Sequence, residues 1–144
     1  MTTFSVSTDK NLDRALLVLR IAVSAIFIMH GYQKVFGFGI SGVTGMFTQL
    51  GIPLAGVVAP FISVLELVGG IALLLGVFTR ITAVLIACDA IGAVIFVHGK
   101  NGFFLPRGFE FMLANIAILV ALALLGAGAL SVDAAMARKG SVKS

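Results

Sequence analysis

Glu66 and Asp89 each fall near the middle of a long apolar run. A carboxylate placed there is costly in hydrocarbon, so it must turn into protein, find a partner or hold a proton. The two runs are joined by the short turn Phe78-Thr79-Arg80, which makes them antiparallel neighbours. At about 1.5 Å per residue both carboxylates lie roughly 14–18 Å from that turn, at a similar depth. Arg20 enters an earlier apolar run from the same side and can reach one of them. Two chemistries fit this trio. One is a buried polar site that carries protons or holds a polar head group. The other is a charge-paired network that only fixes helix rotation. The residues leave both open.

A second group gathers towards the opposite side. His30, Gln33 and Lys34 share one helix face at spacings of three and four, and His98 and Lys100 end a later run. Glu110 opens the last run, with Asn115 about one turn deeper. Glu66, His30, Lys34 and Glu110 are therefore the candidate ligand-binding residues, with Arg20 and Asp89 as a buried polar network. The alternative for Lys34 and Lys100 is interfacial snorkelling, with the charged head in water. No catalytic residue is assigned. Two histidines and a glutamate at no recognised ligand spacing give no expectation of a metal. Cys88 is the single cysteine, so neither an internal disulfide nor a CxxC redox pair is available, and small-residue packing is its expected role.

The elements that hold these groups follow from hydropathy. Of 144 residues 60% are hydrophobic and 11% charged, and the mean hydropathy is +1.16. A soluble domain carries about a quarter charged residues. Four stretches approach the roughly 20 apolar residues a spanning helix needs: Leu16 to Phe36, Leu54 to Val77, Ile81 to Val97, and Phe109 to Leu130. The expectation is an all-α, four-transmembrane-helix bundle over residues 14–132. A short cytoplasmic segment, 1–13, precedes it and a basic cytoplasmic tail, 133–144, follows. Arg20 interrupts the first run and the apolar residues continue past Ala22-Val23-Ser24-Ala25, so it reads as a retained helix rather than a cleaved signal. Between the first two spans, Ser41 to Leu50 is either a short interfacial helix, with Met46, Phe47 and Leu50 on one face, or an ordered loop. Pairs four apart, Ala72 with Gly76, Ala83 with Ala87 and Ala117 with Ala121, allow close helix approach.

Basic residues divide unevenly between the two sides. Lys10, Arg14, Arg20, Arg80, Arg138, Lys139 and Lys143 fall on one, and Lys34, Lys100 and Arg107 on the other. The positive-inside rule places the richer side, with both termini, in the cytoplasm. The net charge of +4 is scattered, without a basic helix, and implies no nucleic-acid partner.

The run from Arg20 through HGYQKVFG, the Gly/Pro loop, ELVGGIALLLG followed by Thr79-Arg80, and then HGKNGFF and GFE resembles the DoxX family of small bacterial membrane proteins. The resemblance covers about residues 12 to 130. Its family-like positions are Arg20, His30, Gly31, Lys34, Glu66, Gly69, Gly70 and Glu110. It implies a four-helix protein of the bacterial inner membrane. The family takes its name from subunits associated with a terminal quinol oxidase and with thiosulfate:quinone oxidoreduction. The chain shows no haem-ligand pair at matching depth, no flavin or nicotinamide fingerprint and no redox cysteine pair, so no cofactor is expected. The function expected is a redox-associated subunit that binds a quinone or similar lipophile. The alternative is a non-enzymatic scaffold that recruits a soluble partner. A small transporter ranks third, because four spans are few for alternating access by one chain. Expected partners are membrane lipids, a quinone or other lipophile, a soluble or membrane redox partner, and a second copy of the chain.

Overall fold

The computed structural model describes residues 10–141. Residues 1–9 of the expected cytoplasmic segment, and Lys143 of the basic count, lie outside the described residues. Helix α1 spans Lys10–Tyr32 and runs on through a widened turn, Gln33–Phe38, into α2, Gly39–Gln49. Helix α3 spans Ala55–Leu75 and α4 Thr79–Asn101. Helix α5 spans Glu110–Leu125 and α6 Val132–Ser141. Among the described residues there is no strand. Segment 39–49 is thus a helix, the first of the two forms its sequence allows.

Helices α3 and α4, of 21 and 23 residues, are each long and apolar enough to cross a membrane. Helix α5 is apolar apart from Glu110 and Asn115 but has 16 residues, about 24 Å at 1.5 Å per residue. The fourth expected span therefore ends earlier than hydropathy indicated. Gly126, with φ 85, stops the helix at Leu125, and residues 126–131 form a turn rather than a last helical turn. The outer surface agrees with a lipid environment. On α3, Val57, Phe61, Val64, Val68, Ile71 and Leu75 form an exposed stripe at alternating spacings of four and three, with Leu74 exposed beside it. Helix α4 shows Ile81, Val84, Leu85, Ile91 and Ile95. A continuous apolar stripe along a whole helix is foreign to a water-facing surface.

The core is made by Leu16, Val23 and Phe27 of α1, Leu73 of α3, Ile86 of α4, and Leu119 and Leu122 of α5. Alanines at positions 83, 87 and 90 let α4 lie close along α5. The tightest contact is the crossing of α1 over α3. A Cβ on Gly31 would lie 2.3 Å from the Leu67 backbone nitrogen, and one on Gly70 would lie 2.9 Å from that of Ile28. Each glycine thus admits the other helix's backbone.

One end of the bundle is tied by side chains at helix ends. Helix α3 terminates at Gly76, φ +69, where the Gly76 and Val77 N–H groups donate back to Leu73 and Ala72 carbonyls. The Asp133 carboxylate accepts from Phe78 and Thr79 N–H at 2.8 and 3.0 Å, capping α4 from the start of α6. Burial works to raise the Asp133 carboxyl, but those donors and the nearby Arg20 guanidinium hold it below the usual range. The Asp13 carboxylate accepts from Ala129 N–H at 2.7 Å. The beginning of α1, the α3–α4 turn and the beginning of α6 therefore share one end.

Candidate functional site

Three of the helices widen into π geometry, with the extra residue per turn that often marks a functional position. The widened turns are Gln33–Phe38 after α1, Leu65–Gly69 within α3, and Val94–His98 within α4. Lys34 lies in the first, Glu66 in the second, and His98 ends the third. No periodicity in the sequence announces them.

Between these turns is a cavity of about 320 Å³. Its walls are apolar: Ile26 and Phe27 from α1, Val58 and Ile62 from α3, Ala90, Ala93 and Phe96 from α4, and Met112 from α5. Met46, Phe47 and Leu50 close it on the remaining side. The apolar face read on 41–50 is thus the wall of a pocket. The polar lining is His30, Lys34, Glu66, Asp89 and His98. Glu66 is buried, and the Lys34 ammonium donates to its carboxylate in a direct ion pair. Asp89 lies in the electrostatic neighbourhood of Glu66 and Lys34. His30 lies in the electrostatic neighbourhood of Glu66, Lys34 and His98. His98 Nδ1 donates to the Arg107 carbonyl at 3.1 Å, which leaves its Nε2 free of that bond. The arrangement can donate, accept and exchange protons beside an apolar chamber. Among the described residues, no three His, Cys, Asp or Glu side chains assemble as a metal would require.

Two predicted residues stand elsewhere. The Glu110 carboxylate accepts from Leu105 N–H at 2.7 Å and closes the 102–109 loop instead of facing the cavity. Arg20 reaches neither Glu66 nor Asp89. It is 1% exposed, and its guanidinium donates to four carbonyls: Leu73 at 2.9 Å, Leu74 at 2.7 Å, Ala127 at 2.8 Å and Leu130 at 2.9 Å. Those carbonyls end α3 and form the turn after α5, where helical partners run out. A planar fork of donors matches that need better than a carboxylate does. The polar interior therefore divides into a tying arginine at one end and a Lys–Glu–Asp–His cluster towards the other.

A model of the DoxX family matches residues 15–99. The chain belongs to the DoxX family. The Bacillus subtilis protein named "Putative oxidoreductase CatD" is 34% identical over 114 residues, covering 79% of this chain and 82% of that protein. A Haemophilus influenzae protein named "Uncharacterized protein" is 37% identical over 122 residues, 82% of this chain and 87% of the other. The Escherichia coli "Inner membrane protein YphA" is 34% identical over 124 residues, 82% and 87% of the two chains. No solved structure matches the chain. With two helices fit to cross a bilayer and a relative named for the inner membrane, this DoxX-family chain is a membrane protein. The matched region contains Lys34, Glu66, Asp89 and His98, and it ends before Glu110.

Proposed function

We propose that this DoxX protein holds a small lipophile with a polar, proton-exchanging head, a quinone or a molecule like it. In this reading it is a redox-associated membrane subunit that brings no redox cofactor of its own. The observation that carries the proposal is the Lys34–Glu66 pair, flanked by Asp89, His30 and His98, inside an otherwise apolar cavity of about 320 Å³. Pockets for small ligands begin near 300 Å³ and combine apolar walls with a few convergent polar groups. A ring carrying carbonyl or hydroxyl groups needs a donor such as Lys34 or His30 and an acceptor such as Glu66 or Asp89. Its tail needs apolar walls.

Glu66→Gln keeps the volume and removes the charge. Losing a hydrogen bond to a charged group costs about 1.5–3 kcal/mol, so retention of an added short-tail quinone should fall roughly tenfold or more. Measurement is by extraction and chromatography of the purified, membrane-inserted protein. If Glu66→Gln retains the quinone while Glu66→Leu only lowers abundance, the pair is a structural contact. The scaffold alternative then stands instead.

The same proposal includes four membrane crossings, by α1, α3, α4 and α5, with both termini cytoplasmic. The shared end of Asp13, Gly76 and Asp133 and the excess of basic residues there support it. A reporter fused after Lys139 should read as cytoplasmic and one inserted at Lys100 as external. A C-terminal reporter that reads external overturns both the count and the orientation.

A further inference from the structure

We infer that the groove between the start of α4, the end of α5 and the start of α6 seats an anionic phospholipid, with Arg80 taking its phosphate. The groove has a volume of about 460 Å³ and lies at the end of the bundle opposite the cavity described above. Its rim is exposed and apolar: Phe78, Ile81 and Leu125. These side chains continue the outward stripes of Leu75 on α3 and of Val84 and Leu85 on α4. An occupant must therefore be hydrocarbon along the helices and polar where they end.

The charge there selects its sign. Arg80 is exposed. Its Nη1 lies 3.5 Å from the Ala123 carbonyl, and a Cβ on Gly126 would come within 3.3 Å of its Nε. The guanidinium thus rests over Gly126 and keeps most of its five donors for a ligand. A guanidinium presents paired N–H groups that fit phosphate oxygens. Asp133, the acidic side chain in the groove, already accepts from Phe78 and Thr79 N–H and lies near the Arg20 charge, which offsets its own. Helix α6 leaves the groove carrying Arg138 and Lys139, both exposed, about 7–9 Å further along by helical rise. Such a group of cations at a membrane surface favours anionic head groups. A zwitterionic lipid would bring its own cation towards the same residues.

The test is native mass spectrometry of the full chain released from nanodiscs of equal phosphatidylglycerol and phosphatidylcholine. Wild type should carry phosphatidylglycerol several-fold in excess of phosphatidylcholine, and added salt should reduce the excess. Arg80→Gln should remove most of that excess and bring the two lipids close to parity, as the loss of one charged contact would. Arg80→Lys should keep part of it, and Lys100→Gln at the opposite end should leave it unchanged. Should Arg80→Gln fail to accumulate, the Arg80→Lys result and the wild-type preference decide. Equal retention of the two lipids by wild type overturns the inference. So does an unchanged excess in Arg80→Gln, or displacement of the lipid by an acidic soluble protein that binds through Arg80.

Discussion

Arg20→Leu should remove most of the protein from the membrane fraction, the largest loss expected from any single side-chain replacement. The guanidinium is buried and donates to four backbone carbonyls from two separate parts of the chain, positions 73–74 and 127–130. Leucine fills part of the volume and leaves the Leu74, Ala127 and Leu130 carbonyls without that donor, while Leu73 keeps the Gly76 N–H. Each unsatisfied group costs about 1–3 kcal/mol, so for three carbonyls even the low end removes roughly 3 kcal/mol, a substantial share of a typical 5–15 kcal/mol stability. Lysine should rescue little. It keeps the charge but offers a point donor on a flexible stem, where the site needs a planar fork spread over two elements. The checks are immunoblot abundance in washed membranes and melting temperature of the detergent-purified protein. Near-normal abundance of Arg20→Leu would show that water replaces the guanidinium, and the tying role would fail.

That arginine marks where reading the sequence works and where it stops. An ionisable residue inside an apolar run announces that it must be buried and paired. The sequence singles out Arg20, Glu66 and Asp89 for that reason. It does not say which partner each takes, because carboxylates and helix-end carbonyls both satisfy a guanidinium. Entry from the same side allows a carboxylate; the stop at Gly126 supplies carbonyls instead. The pairing of Lys34 with Glu66 is consistent with the sequence, which places both among the candidate ligand-binding residues. Glu110 opens a helix on the same side and so joins the candidates, yet its carboxylate accepts from the Leu105 N–H, five residues away in the chain. Local turns of that kind carry no periodic signal. The existence and order of α1, α3, α4 and α5 are legible because apolar length is a coarse quantity; α6, Val132–Ser141, falls in the expected tail and carries no such length. The cavity is not legible, because it depends on widened turns and on the glycine crossing, which are set by contacts between helices.

Gly31→Val should damage both the bundle and the site, and Gly31→Ala should do so to a lesser degree. A Cβ at position 31 would lie 2.3 Å from Leu67 N and 2.7 Å from Leu67 Cα. Both are backbone atoms, so no rotamer change relieves the clash and α1 must move away from α3. Overpacking of this kind costs about 1–3 kcal/mol for small additions, and valine adds two more methyl groups at the same point. The displacement acts directly on the polar cluster. Lys34 lies one turn after Gly31 on the same helix face, and Glu66 immediately precedes Leu67. Moving the helices apart therefore separates the ammonium from the carboxylate, and a buried ion pair held apart keeps its desolvation cost while losing its attraction. The expected result is a melting temperature several degrees lower for Gly31→Ala, together with loss of quinone retention comparable to that of Glu66→Gln. Gly45→Ala on α2, where an added Cβ meets nothing within 4 Å, should change neither quantity. The two readouts separate the roles of the crossing. If Gly31→Ala melts early but binds normally once folded, the glycines serve packing alone. If stability and retention fall together while Gly45→Ala is silent, the close approach of α1 to α3 is what brings Lys34 to Glu66.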